Sequence, residues 1–107
     1  MQKDEGKFKT ALKKEIENRL PGSMVFYLNP NDIKGIPDLE VLYESRWAVL
    51  EAKASEEDYR KDIANPEKMS QPYYVKKMNE MSFAAFIFPE NKEEVLNAME
   101  TALRSPR

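Results

Sequence analysis

The chain has 107 residues, 17 Lys or Arg against 19 Asp or Glu, and neither cysteine nor histidine. Those absences exclude zinc-finger chemistry, thiol redox chemistry, cysteine nucleophiles and every histidine-based acid–base step. What remains for catalysis is carboxylates, lysine, hydroxyls or an oxygen-bound metal, on a single domain over 1–107 large enough to bury a core without disulfides. The net charge of −2 hides an uneven distribution, because residues 36–60 carry three basic against seven acidic residues whereas residues 1–35 carry seven against five. No apolar run approaches the ~20 residues of a membrane span. No apolar signal segment follows Met1-Gln2-Lys3-Asp4-Glu5. The expectation is a soluble cytoplasmic protein with no membrane partner.

Phe8, Ala11, Leu12, Ile16 and Leu20 recur at helical spacing, so residues 7–20 are predicted helical, ended by Pro21-Gly22. Lys7, Lys9, Lys13, Lys14 and Arg19 decorate that helix, and Glu15 falls inside or beside its apolar stripe. Ser23–Leu28 is a β-prone run, followed by a loop at Asn29-Pro30-Asn31-Asp32. Ile36–Tyr43 and Trp47–Lys53 read as two strands of a hairpin, with Glu44-Ser45 as a tight turn. Ser55-Glu56-Glu57-Asp58 has a capping pattern that opens a short helix. Residues 55–70 form a polar surface excursion, broken at Asn65-Pro66. A helix from Ser70-Gln71-Pro72 carries the stripe Tyr74, Val75, Met78 and Met81. Phe83–Phe88 is a continuous apolar run and reads as a buried strand. Asn91 with Glu94 is predicted to cap a last helix with the stripe Val95, Leu96, Met99, Ala102 and Leu103, before Ser105-Pro106-Arg107 frays. The order α-β-β-β-α-β-α predicts an α/β or α+β fold with a mixed sheet of about four strands flanked by helices.

Chemistry concentrates in Asp38, Glu51 and Lys53. Residues two apart on a strand share a face, so Glu51 and Lys53 point the same way. With Glu44-Ser45 as the turn, Tyr43 pairs with Arg46 and Asp38 falls opposite Glu51, at a Cβ separation of about 4.5–5.5 Å. Two carboxylates so placed repel unless a cation lies between them, and Mg²⁺ suits one or two carboxylates plus water and phosphate oxygens. A one-residue slip destroys the pairing, and Glu-Ser is not a favoured hairpin turn. The plainer alternative makes Asp38 a turn residue after Pro37 and Glu51 and Lys53 a solvated strand face.

Gly35-Ile36-Pro37-Asp38-Leu39, then Glu51-Ala52-Lys53, then Gln71, resembles the signature of the PD-(D/E)xK nucleases. It is most similar to the virus-type replication-repair nuclease group (VRR-NUC) and to the archaeal Holliday-junction resolvases. The resemblance spans roughly 8–90 and implies a restriction-endonuclease-like α-β-β-β-α-β core. It implies a Mg²⁺- or Mn²⁺-dependent endodeoxyribonuclease acting on DNA, either structure-selective on branched or junction DNA or non-specific. It further implies a homodimer or a component of a larger replication or repair assembly, and a phage or prophage origin. Asp38, Glu51 and the Ala52 carbonyl would ligate the metal, and Glu15 would match the family's helical glutamate, its alternative being a stripe-edge residue. Lys53 would position water or stabilise charge on the reacting phosphate, and between two carboxylates it is expected to be protonated. Gln71 would act near the metal or DNA, or else simply start its helix. Lys13 and Lys14 on the first helix, and Tyr73, Lys76 and Lys77 on the later one, are candidate DNA contacts or solvated faces. A second function class stays open: a catalytically silent nucleic-acid-binding or protein-interaction module on the same fold.

Overall fold

The structure, a computed structural model, describes residues 2–29 and 31–105. Met1, Pro30 in the expected 29–32 loop, and Pro106 and Arg107 in the expected frayed tail lie outside the described residues.

The first helix, α1, runs Gln2–Arg19 and starts before the apolar stripe does, because Asp4 and Glu5 supply an acidic first turn that favours the helix N-terminus. Strand β1 is Met24–Tyr27, β2 is Leu39–Tyr43 and β3 is Arg46–Ala52. Helix α2 is Glu56–Ile63, with Ser55 Oγ accepting from the Asp58 N–H at 3.1 Å as the capping pattern predicts. A 3-10 turn at Pro66–Lys68 leads into α3, Ser70–Met81. Strand β4 is Phe83–Ile87, and α4 is Lys92–Arg104. The protein is thus α+β, with the predicted element order and α2 as an extra helix between β3 and α3.

The four strands lie side by side in the order β1-β2-β3-β4, with β1, β2 and β3 antiparallel and β4 parallel to β3. The β2–β3 register is the one a Glu44-Ser45 turn demands: Tyr43 pairs with Arg46 and Leu39 with Leu50. Neither turn residue is glycine or asparagine, so Glu44 itself takes a left-handed backbone with φ 57°. The β3–β4 connection needs the long crossover that α2 and α3 provide.

One face of the sheet is covered by α1 and α4. Leu12, Ile16 and Leu20 from α1 and Leu96, Met99 and Leu103 from α4 pack with Val25, Leu39, Val41, Ala48, Leu50, Ala52 and Ile87. The strand alternation therefore sends Trp47, Val49 and Glu51 to the opposite face, where α3 lies against β3 and β4.

Three expectations are corrected. Strand β2 starts at Leu39 rather than Ile36, because Pro37 has no N–H to offer and Gly35 turns the chain just before it. Met81 is 65 % exposed at the end of α3, a helix that buries no residue fully, so it is not part of a core stripe. Asn91 stands at the N-cap of α4 as expected, but its side chain makes no capping bond there; its Oδ1 accepts from the Phe88 N–H at 2.8 Å and its Nδ2 donates to the Phe86 carbonyl at 3.2 Å, closing the turn after β4.

Candidate active site

The carboxyl ends of β3 and β4 point to one end of the sheet, the place where open α/β sheets bind ligands. Asp38 reaches it from the segment before β2. Gly35 adopts φ +86°, and a Cβ there would run into the Ser70 side chain, so the 33–38 turn packs against the start of α3. Pro37 is fully buried. The Asp38 carbonyl then accepts from the Leu28 N–H at 2.8 Å, and its Oδ2 accepts from the Ala52 N–H at 2.9 Å. Its side chain thus substitutes for the strand ladder one step beyond the Leu39–Leu50 pair, alongside Glu51. The ammonium of Lys9 on α1 stands 3.8 Å from Oδ1. Beside them opens a cleft of about 370 Å³, lined by Gly6, Lys9, Thr10, Tyr27, Leu28 and Asp38.

Glu51 and Lys53 are each only 4 % exposed. Burial pushes the Glu51 carboxyl up to about 8, Asp38 pushes the same way, and Lys53, 3.6 Å away, pulls it back only in part. Glu5 on α1 adds to the negative field at both residues. Lys53 is held in place by its own N–H, which donates to the Ile87 carbonyl at 2.9 Å and extends the β3–β4 ladder. Burial pushes its ammonium down, but the hydrogen bond to Asp62 and the charge of Glu51 outweigh that, leaving it above the usual lysine value. Lys53 is therefore charged, as expected of a lysine among carboxylates.

Its Nζ donates to Asp62 Oδ2 at 2.6 Å and to Gln71 Oε1 at 2.8 Å. Gln71, in the first turn of α3, is thus brought to the site rather than only starting a helix. Asp62, on α2, also takes Lys68 on its Oδ1 at 3.1 Å. Burial raises the Asp62 carboxyl, and the two lysines more than cancel this, holding it below the ordinary value. Ala52 enters the site through its N–H on Asp38.

Glu15 is placed elsewhere. Its Oε1 pairs with Lys92 at 3.0 Å and its Oε2 with Arg19 at 3.2 Å, and Lys92 above all holds its carboxyl below the usual range. The α1 carboxylate felt at Glu51 is Glu5, ten residues or about 15 Å of helix earlier. Lys13 is paired with Glu17 at 2.9 Å, and Lys14 is exposed; the α1 lysine at Asp38 is Lys9, one turn before Lys13. Tyr73 is 58 % exposed with its ring edge-on to Tyr74, and with Lys76, Lys77 and Glu80 it lines a shallow groove on α3.

Glu5, Asp62 and Lys68 were not marked by the sequence, and Lys9 only as one of the lysines decorating the first helix. Glu5 and Lys9 do carry a signal, an i,i+4 acid–base pair at 3.6 Å on one helix face. Asp62 carries none, because a helix and its cap deliver it to Lys53 from outside the hairpin.

Asp38 and Glu51 carry the hard carboxylate oxygens that Mg²⁺ and Mn²⁺ accept. Burial and Asp38 raise the proton affinity of Glu51 more than Lys53 at 3.6 Å lowers it. Among the described residues no group of three or more acidic side chains gathers closely enough to enclose a cation. Asp38 and Glu51 would therefore share it with water and substrate oxygens, as Mg²⁺ and Mn²⁺ accept. Comparison with protein-family models, with curated proteins and with solved structures returns no match. Among the described residues no helix is long and apolar enough to cross a membrane.

Proposed function

We propose that the chain is a divalent-metal-dependent endonuclease of the PD-(D/E)xK type that hydrolyses DNA phosphodiester bonds. The observation that supports this reading best is the triplet at the end of β3: Asp38 bonded across to Ala52, Glu51 buried beside it, and the charged Lys53 3.6 Å from Glu51. Asp38 and Glu51 would hold Mg²⁺ or Mn²⁺, which when bound lowers the pKa of a coordinated water and offers charge to a phosphate oxygen. In hydrolysis a water oxygen bonds to phosphorus, one P–O ester bond breaks, and the leaving oxygen takes a proton. With its ammonium held charged chiefly by Asp62, Lys53 stabilises negative charge on the phosphate rather than taking a proton from water. Lys9 and Lys68 lie at the margins of the site, and Tyr73, Lys76 and Lys77 on α3 offer backbone and stacking contacts.

The cutting is read as structure-selective or non-specific, by the chain alone as a two-fold dimer or within a larger assembly. The test is cleavage of linear duplex, single-stranded, nicked and four-way-junction DNA at low salt, with Mg²⁺, Mn²⁺ or EDTA. Metal-dependent cutting lost in both Asp38→Asn and Lys53→Ala is the expected result. No cutting of any substrate, with DNA affinity indifferent to Asp38→Asn and to EDTA, would replace the enzyme with a silent nucleic-acid-binding module. No DNA affinity at low salt would leave a protein-interaction module.

A further inference from the structure

A lysine ammonium has three N–H donors around a tetrahedral nitrogen. Lys53 gives one to Asp62 Oδ2 at 2.6 Å and a second to Gln71 Oε1 at 2.8 Å. Once two donors and the Cε bond are fixed, the third donor has one direction left. Glu51 Oε2, at 3.6 Å, is a longer and weaker contact than either of those two bonds. The third donor remains for Glu51 itself or for a group that comes to lie beside it.

Helix α2 is built to deliver the Asp62 anchor. None of its residues is buried, so the helix is not there to fill a core. It is held at three points instead. Ser55 caps its first turn, and the Glu56 N–H donates to Glu90 Oε1 at 3.0 Å. The Tyr59 ring packs on Phe86 and Phe88, at centroid distances of 5.0 and 5.1 Å. Asp62, one turn beyond Tyr59, then meets Lys53, and Lys68 braces its other oxygen at 3.1 Å.

We propose that Asp62 is a positioning residue: together with Gln71 it clamps the Lys53 ammonium so that one N–H is aimed at the space beside Glu51, where the phosphate would be attacked. The consequence for turnover rests on the nuclease reading; the clamp itself does not. Asp62 never touches substrate. It removes the rotational freedom of a long side chain before substrate arrives, which is how orientation lowers a barrier.

Two measurements test this separately, on wild type, Asp62→Asn and Asp62→Ala. The first follows the lysine ammonium ¹⁵N–¹H resonances of the protein alone in EDTA. A buried, hydrogen-bonded Lys53 gives a signal protected from solvent exchange, assigned by its loss in Lys53→Arg. That protection is expected to vanish in Asp62→Ala and to survive in part in Asp62→Asn, which keeps an acceptor oxygen. The second is steady-state DNA cleavage. Asp62→Ala is expected to lower kcat about 10–100-fold with KM unchanged, as loss of an orienting partner does. Asp62→Asn falls in between. A far-UV spectrum like wild type is expected for both Asp62 variants, because α2 lies outside the core. A protected Lys53 signal that persists in Asp62→Ala overturns the clamp. Wild-type kcat in Asp62→Ala overturns the positioning role. A wild type that cuts no DNA but shows an Asp62-dependent Lys53 signal overturns the nuclease reading and supports the clamp.

Discussion

Glu51 is where stability and the proposed chemistry conflict. Burial first, and Asp38 second, raise its carboxyl to about 8 from an ordinary 4.5. Between those two values the unfolded chain has lost the proton and the folded chain keeps it, so the folded state loses ground as pH rises through that window. In EDTA the melting temperature of the wild type should therefore fall from pH 5 to pH 8, by an amount equivalent to on the order of 2 kcal/mol. No histidine titrates in the same window, since the chain has none. Glu51→Gln should flatten that slope and melt above wild type at pH 8, while Mg²⁺ should raise the melting temperature of wild type at pH 8 and not that of the variant. Equal slopes in the two proteins would contradict the buried-carboxylate account. Gly35 is a second single-residue constraint. Its φ of +86° and its approach to the Ser70 side chain both exclude a Cβ, so Gly35→Ala should cost about 1–3 kcal/mol in urea unfolding. A cost near zero would mean that the 33–38 turn can move away from α3.

At the scale of elements, the hairpin carries most of the site's geometry. A two-residue turn at Glu44-Ser45 sets which residue of β2 faces which residue of β3, and the pairing ends with Asp38 beside Glu51. That was legible in sequence because register follows from turn length and a period of two. Helix α3 was harder to read. Its apolar positions suggested a core stripe, yet Tyr74, Val75 and Met78 are half-buried and Met81 is exposed, because α3 meets the sheet over β4 and the edge of β3 only. The contrast with α1 gives a direct check by chemical denaturation. Ile16→Ala, in the middle of the core, should cost about 2–5 kcal/mol, whereas Met81→Ala should stay within about 0.5 kcal/mol. A large penalty for Met81→Ala would indicate that the end of α3 is covered in solution.

For the whole molecule, the formal charge of −2 is a poor guide to nucleic-acid binding, because the acidic residues crowd the segment that forms the site and α2. Lysines that could meet a phosphate backbone are distributed around that acidic centre: Lys9 by Asp38, Lys68 by Asp62, and Lys76 and Lys77 on α3. If α3 contacts DNA, Lys76→Ala/Lys77→Ala should weaken binding alike for all sequences. It should also flatten the plot of log affinity against log salt by about 2, measured by fluorescence anisotropy in EDTA. An unchanged slope would move the DNA path off α3, towards Lys9 and the cleft beside Asp38.

Chain order, helix and strand types, the hairpin register and the Asp38–Glu51–Lys53 triplet were determined by local rules: apolar period, turn length and strand alternation act over a few residues and are written in the sequence. Only the tertiary structure decided which charges meet across those elements. It sent Glu15 to Lys92 and Arg19, put Glu5 and Lys9 where a helical acid was sought, and placed Asp62 and Gln71 on Lys53. Such pairings depend on how a helix is docked along its axis, and a shift of α1 by one turn would exchange the partners while keeping the same apolar face on the sheet.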